Sequence, residues 1–532
     1  MEAAPSDPVG LMRGQLPRLR AVRINHDATH TILRSILTRG ALMAVGRVLR
    51  LFVVVWSISL CAACGILNFD RGINDFAVPS TVQQNETRSD LKPFVGVAIS
   101  GGGSRAANFA AAVLQELERY GFLEHVTAIS GVSGGTLPAT YYLLNRNRPE
   151  WNWEKFRELM GANFYRSFLW KHFSPWGLLN YLNTEYNRSD MMAEVFDDTL
   201  FHGARFGDLD PSLPSLLINA APLYAGARGQ WSFTEENFHS LRSSLKTYSL
   251  SRAIAASTAV PGIFNGIALR AYNEDGTFRY MHLVDGGISE NLGVEALLRF
   301  YVQSRGHEFV GQRRVDEGVT PRGCFIFAID SYPDRLSQEE FSDERDMRSG
   351  TDFIIDRNLL TTFDIMGNNA RDRFFAMLHD GIYIDGNLFP GMYRPLSDGY
   401  RCQIWHIHSG NLMRRFLFYT LKPERNGDFS ALRETLAYVL PEIKTHWKLE
   451  APGTCSSAAL QEAIYTAASM LVTEDRMAHH QARSWFLARG LNLRGEEPRD
   501  FEESQYGRFK DLHMKLRHEP AGGLSLLCEE LP

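Results

Sequence analysis

Gly131-Val132-Ser133-Gly134-Gly135 stands where a short apolar, β-branched run, Val126-Thr127-Ala128-Ile129, gives way to Thr136–Leu144, a stretch of helical character. Gly-x-Ser-x-Gly between a strand and a helix is the arrangement of a nucleophile elbow. Small residues beside the serine let the chain turn tightly and push the hydroxyl out at the helix N-terminus, where N–H groups and the helix dipole favour developing negative charge. Pro138 falls in the first turn, where its missing N–H costs nothing. Alone, the five residues fit an ordinary glycine turn equally well.

Two flanking blocks change that balance. Upstream, Phe94-Val95-Gly96-Val97-Ala98-Ile99 reads as a fully buried parallel strand, and Asn108–Tyr120 as a helix with Ala111, Leu114, Leu117 and Glu118 at helical spacing. Between them lies Ser100-Gly101-Gly102-Gly103-Ser104-Arg105. A glycine loop in this position can cradle phosphate, but neither G-x-x-x-x-G-K-[ST] nor a full G-x-G-x-x-G is present. The favoured use is to bring bare backbone amides to a tetrahedral oxyanion, where one donor is typically worth about 2.7–4 kcal/mol.

Downstream, Met281-His282-Leu283-Val284 reads as a strand with Asp285 at its carboxyl end, where catalytic groups collect in open α/β sheets. Gly286 and Gly287 then turn the chain away. Asp330, after the apolar run Cys324–Ile329, is a rival carboxylate; the paired glycines favour Asp285 and leave Asp330 a structural or supporting part. A carboxylate acting as base without imidazole must be partly desolvated or close to the serine. His282 should leave its strand on the face opposite Asp285. His125, His202, His239, His406 and His408 carry no local signature and are assigned no catalytic role. His406-x-His408 lacks further ligands nearby, so no metal and no cofactor are expected.

The blocks at 100–106, 131–135 and 285–287, with Ala256-Ser257-Thr258-Ala259-Val260-Pro261-Gly262-Ile263-Phe264, resemble the patatin-like phospholipase family. The first block is also similar to the related cytosolic phospholipase A catalytic domain. The resemblance spans roughly Phe94 to Val294. It implies a three-layer α/β fold with a mainly parallel sheet, and a dyad in which Ser133 attacks an ester and Asp285 takes its proton. It further implies oxyanion amides from Gly101, Gly102 and Gly103. Arg105 would steady that loop or meet a phosphate head group, and Gly131, Gly135, Gly286 and Gly287 complete the motifs.

The N-terminal part is basic through Arg13, Arg18, Arg20, Arg23, Arg34, Arg39, Arg47 and Arg50. The apolar run Leu51–Leu60 then leads to Cys61-Ala62-Ala63-Cys64-Gly65. Read from Met43, this has the outline of a signal peptide, and Ala62-Ala63-Cys64-Gly65 looks like a lipobox with Cys64 as the lipidated residue. Met43 is the expected start. An uncleaved anchor is the competing reading, although Leu51–Leu67 is slightly short of the roughly 20 residues a spanning helix wants; a buried core helix is a third. Arginines before the run, with Asp70 and Asp75 after it, favour a catalytic domain outside the cytoplasm, in a bacterial envelope.

A formal charge of −5 over 532 residues gives no support to nucleic-acid binding. Cys324 and Cys402 sit in apolar strand-like runs and read as buried thiols, while Cys455 and Cys528 are candidates for pairing. The expected organisation is an N-terminal segment at 1–69, a polar linker at 70–90, the acyl hydrolase domain at 91–450 and a helical C-terminal extension at 451–532. Further strands are expected at Ser215–Asn219, Phe325–Ile329 and Gln403–His408, and helices at Ser251–Thr258, Glu290–Tyr301 and Phe353–Leu378. Residues 151–201 form an aromatic-rich helical insertion, suited to a lid or acyl-chain wall or to ordinary packing. The expected function is hydrolysis of phospholipid or lysophospholipid at a membrane. Acyl transfer by the same dyad, and a catalytically silent lipid-binding protein, are the alternatives.

Overall fold

Residues Phe94–Ile99 form β1, and every one is buried, as an apolar run covered on both faces must be. The computed structural model describes residues 72–77, 93–177, 185–224, 229–304, 323–332, 371, 381–384, 387–390, 402–412, 436–437, 439–441, 443, 447–450 and 456–495. The basic and apolar N-terminal segment with Cys64, Cys455, Cys528 and all but Arg371 of the expected helix at 353–378 lie outside them. No helix among the described residues is long and apolar enough to cross a membrane.

From β1 the chain enters α1 (Gly103–Arg119), then β2 (Ala128–Val132) and α2 (Thr136–Asn145). Three helices follow, α3 (Trp153–Met160), α4 (Phe164–Phe173) and α5 (Arg188–Phe196), before β3 (Ser215–Pro222) and β4 (Trp231–Phe233). Next come α6 (Leu250–Ser257), β5 (Ile267–Tyr272), β6 (Phe278–Asp285), α7 (Val294–Ser304) and β7 (Cys324–Asp330). A small separate pair, β8 (Gly381–Ile384) and β9 (Asn387–Pro390), precedes β10 (Cys402–His408), α8 (Ser457–Glu474) and α9 (Arg476–Leu487).

The main sheet runs β10-β7-β1-β2-β3-β6-β5, with β4 also pairing β3. Its first five strands are parallel. β6 is antiparallel to β3 and overlaps only its last residues, pairing Asp285 with Ala220 and Leu283 with Pro222. Asp285 therefore ends its strand, as expected from sequence, but that strand runs against the parallel set. It arrives from beyond the sheet's carboxyl edge, because β5 and β6 form a hairpin whose turn holds Asp275 and Gly276 at φ 81°. The placement matters: β2 ends opposite Asn219, one residue before Ala220, so Ser133 and Asp285 emerge side by side.

Helices cover both faces. One core joins Val97 and Ile99 to Leu114 of α1, Leu137 of α2, Ile254 of α6 and Ile464 of α8. The other joins Ala98 and Ile326 to Leu297 and Tyr301 of α7. The C-terminal helices belong to the first core: Gln461 donates to Asn108 Oδ1 at 2.6 Å, and Phe486 of α9 packs on Phe325 and Phe327. Nor is the whole of 70–90 a polar linker. Buried Asn74 accepts from Arg270 N at 2.6 Å and donates to Arg270 O at 2.8 Å, which docks residues 72–77 on β5.

Cys324 and Cys402 are disulfide-bonded rather than free thiols. Both were read as buried because each lies in an apolar strand, but β7 and β10 pair in a register that sets Cys324 directly opposite Cys402. The bond ties the edge strand to the sheet across a sequence separation of 78. A Cys324→Ala/Cys402→Ala double variant should lose about 2–4 kcal/mol of stability in urea denaturation; an unchanged midpoint would mean that strand pairing alone holds this edge.

Candidate active site

Ser133 directly follows β2 and has φ 47°, in the left-handed region that side-chain-bearing residues rarely enter. Such strain persists only where neighbours over-determine it, and here they do. Ser133 N–H donates to Ser257 Oγ at 2.8 Å, whose hydroxyl donates in turn to Asn219 O at 2.5 Å. Thr136 Oγ1 donates to Ser133 O at 2.6 Å. Asn219, buried on β3, donates to Ser130 Oγ and Gly131 O at 2.7 and 2.9 Å, and accepts from Ser232 Oγ at 2.6 Å. At Gly134, a Cβ would stand 2.2 Å from Gly103 O, so only glycine lets the elbow meet the loop after β1.

The elbow aims Ser133 Oγ at Asp285, donating to its Oδ2 at 2.8 Å. Gly287 N–H donates to Oδ1, also at 2.8 Å. Ser133 and Asp285 are each 7% exposed. Burial pushes the Asp285 carboxyl up to about 6, against the opposing pull of the hydrogen bonds from Gly287 and Ser133. A carboxylate in that range, bonded to a hydroxyl, can take its proton near neutral pH. The Ala256–Phe264 block feeds both partners: Ser257 fixes the elbow, and Ala259 O accepts from Asp285 N at 3.0 Å.

The glycine loop differs from expectation at one position. Gly101 N–H donates to Asn291 O at 3.0 Å, so this amide is already engaged and is not an oxyanion donor. Asn291 closes the turn between Asp285 and α7, and chain reversal there carries its carbonyl to Gly101. Gly102 (φ 135°) and Gly103 (φ 57°) open α1, and their N–H groups are the first-turn amides that a helix leaves without an internal partner. Gly131 and Gly135 flank the elbow, and Gly286 and Gly287 follow the carboxylate as a single turn.

Arg105 is 5% exposed and donates to Ile443 O at 2.9 Å, with its guanidinium 5.9 Å over the Tyr332 ring. It braces the loop from behind, and its burial argues against the head-group role. Asp330 lies apart from Ser133, with Oδ2 at 3.1 Å from His406 Nε2, 3.7 Å from His408 Nε2 and 3.4 Å from Arg371 Nη1. Burial alone would raise its carboxyl, but His408, His406 and Arg371 outweigh that and hold it well below the usual range. Next to it, Ser331 N–H donates to Ser100 Oγ at 3.0 Å and Ser331 Oγ to Gly101 O at 3.2 Å, so the Asp330 cluster anchors a second brace of the glycine loop. Among the described residues, no three His, Cys, Asp or Glu side chains group as metal ligands. Sequence reasoning overlooked Asn219, Asn291 and Ser331, and quoted Ser257 only as part of a motif; a polar residue ending the apolar run Leu216-Leu217-Ile218 was the signal for Asn219.

A strained serine at the end of a parallel strand thus stands hydrogen-bonded to a buried carboxylate, beside a glycine loop that opens a helix. Residues 97–298 match the family model for patatin-like phospholipase, and the chain carries that domain over this stretch. No curated protein matches the chain significantly by sequence. Among solved structures, human GIVD cytosolic phospholipase A2 in complex with methyl gamma-linolenyl fluorophosphonate is similar at 13% identity and a TM-score of 0.35, over 76% of this chain and 61% of that one. Another structure of the same human enzyme matches at 18% identity and a TM-score of 0.26, over 33% of this chain and only 29% of that one. VipD from Legionella pneumophila matches at 12% identity and a TM-score of 0.20, over 87% and 94%.

Because the folded-state carboxyl of Asp285 is raised above the ordinary 3.8 to about 6, the fold binds its proton more tightly than the unfolded chain does. The resulting stability is present below the unfolded value and is lost as pH rises through about 6. Asp285→Asn removes that loss, so its stability relative to wild type should improve between pH 4 and pH 7 in urea titrations. A constant difference across that interval would mean that Asp285 is not raised.

Proposed function

We propose that this protein is a membrane-associated lipid acyl hydrolase acting on phospholipid or lysophospholipid through Ser133 and Asp285. The observation that carries the reading is the 2.8 Å hydrogen bond from Ser133 Oγ to the buried Asp285 carboxylate. As Oγ attacks the ester carbonyl carbon, its proton passes to Asp285 Oδ2 and the carbonyl electrons move onto oxygen, beside the N–H groups of Gly102 and Gly103. Collapse re-forms the carbonyl and breaks the bond to the leaving alcohol, which takes the proton back from Asp285. Water then attacks the acyl-enzyme, gives its proton to Asp285, and frees the fatty acid as Ser133 recovers that proton.

The family match over 97–298 supports a lipid ester as substrate. The membrane location rests on the basic-then-apolar segment before Cys64 and on the Cys324–Cys402 disulfide, which suits an oxidising compartment outside the cytoplasm. A lipid anchor at Cys64 is part of this proposal; diacylglycerol found on Cys64 by mass spectrometry would support it, and a mature protein retaining Met1 would contradict it.

Lipidomics of native membranes incubated with wild type should show free fatty acid rising as phospholipid or lysophospholipid falls, and no such change with Ser133→Ala. The kcat/KM for an ester substrate should climb with pH through about 6, as Asp285 ionises, and level off above it. Identical lipid profiles for the two proteins would overturn hydrolysis and favour a silent lipid-binding role. Acyl groups recovered on a competing alcohol instead of as free acid would favour a transferase.

A further inference from the structure

We propose that Asn291 is a positioning residue of this site, a wedge that sets the spacing between the oxyanion loop and the base. The inference rests on the acyl-hydrolase reading above and adds a residue to it. Two contacts carry it. The Asn291 carbonyl accepts the Gly101 N–H at 3.0 Å, which commits that amide and leaves the role of oxyanion donor to the first-turn amides of Gly102 and Gly103. Its side chain occupies the notch that two glycines leave open: a Cβ at Gly101 would stand 2.3 Å from Asn291 Oδ1, and one at Gly287 would stand 2.8 Å from it.

That notch borders both reacting groups. The same point beside Gly101 is 3.2 Å from Ser133 Cβ, and the point beside Gly287 is 3.1 Å from Asp285 Oδ1. The Asn291 amide therefore lies within the ~6 Å over which one charge shifts another's pKa. An amide suits the place because it fills the space and offers polar atoms without a second negative charge beside Asp285.

The turn holding Asn291 is fixed on either side. Glu290, 2% exposed, accepts from the N–H groups of Leu292 and Glu295 at the start of α7, and its carbonyl accepts from Gln230 Nε2 at 2.8 Å. Asp285, Glu290, Glu295, Arg299 and Tyr301 are the ionisable groups along this turn and the helix it enters, with Arg299 paired to Glu295 at 2.7 Å; burial raises Glu290 to about 8, with Glu295 adding to the rise. Glu290 is thus largely neutral at neutral pH, and Asp285 is the charge that a substitution at 291 would meet.

The test is the rate at which a fluorophosphonate labels Ser133 in the full chain, followed against pH for wild type, Asn291→Asp, Asn291→Ala and Asn291→Gln, with thermal unfolding of each. Asn291→Asp is nearly isosteric and should move the midpoint of the labelling profile upward by about one pH unit, a tenfold tighter hold on the Asp285 proton. The shift should persist in a Glu290→Gln background. Asn291→Ala should slow labelling at the pH plateau about tenfold or more while keeping its unfolding temperature, and Asn291→Gln should recover part of the rate. Wild-type rates and midpoints in Asn291→Asp and Asn291→Ala would overturn the wedge while leaving the dyad standing. Should Asn291→Ala not fold, the midpoint of Asn291→Asp decides alone. Absence of Ser133 labelling in wild type would overturn the dyad, and the wedge with it.

Discussion

The hydrogen bond between Ser133 Oγ and Asp285 Oδ2 is the contact on which the site depends, and it joins residues 152 apart in the chain. Neither partner reaches it by an ordinary route. Ser133 is held at φ 47° by Ser257, Thr136 and the close approach of Gly134 to Gly103. Asp285 is delivered by a strand running against the parallel sheet and stopping level with Ala220. Burial of the pair makes the carboxylate more basic, against the pull of its hydrogen bonds from Gly287 and Ser133.

Support for the pair comes from a shell of neutral hydrogen-bonding side chains. Asn219, Ser257, Ser130 and Ser232 link β2, β3, β4 and α6 behind the elbow. Ser331 and Ser100 brace the glycine loop from β7, next to the charged Asp330 cluster. Neutral donors and acceptors suit this place, since a fixed charge nearby would move Asp285 away from about 6. The C-terminal helices serve the same frame: α8 packs on α1, whose first turn offers the Gly102 and Gly103 amides.

Much of this was legible in the sequence because the features involved are local. β1 is an apolar run, β7 is one up to Asp330 and β2 begins in one, while the glycine blocks sit where backbone must approach backbone. What escaped depends on register or on distant partners. The reversal of β6 is encoded in the turn containing Asp275-Gly276, which is easily passed over beside so many parallel strands. The Cys324–Cys402 bond follows only once β7 and β10 are known to pair in that register. Gly101 looked like an oxyanion donor because sequence shows which amides are bare, and not which carbonyl has already claimed one. That carbonyl belongs to Asn291, 190 residues downstream.

The central claim is that Ser133 becomes acylated with Asp285 as its base. Rapid-quench mass spectrometry of the full chain turning over a long-chain phospholipid tests it directly. The account predicts a fatty-acyl adduct on the Ser133 peptide that forms before steady state, decays with turnover and fails to form in Asp285→Asn. Turnover with no adduct at Ser133, or an adduct that forms at the wild-type rate without Asp285, would contradict it.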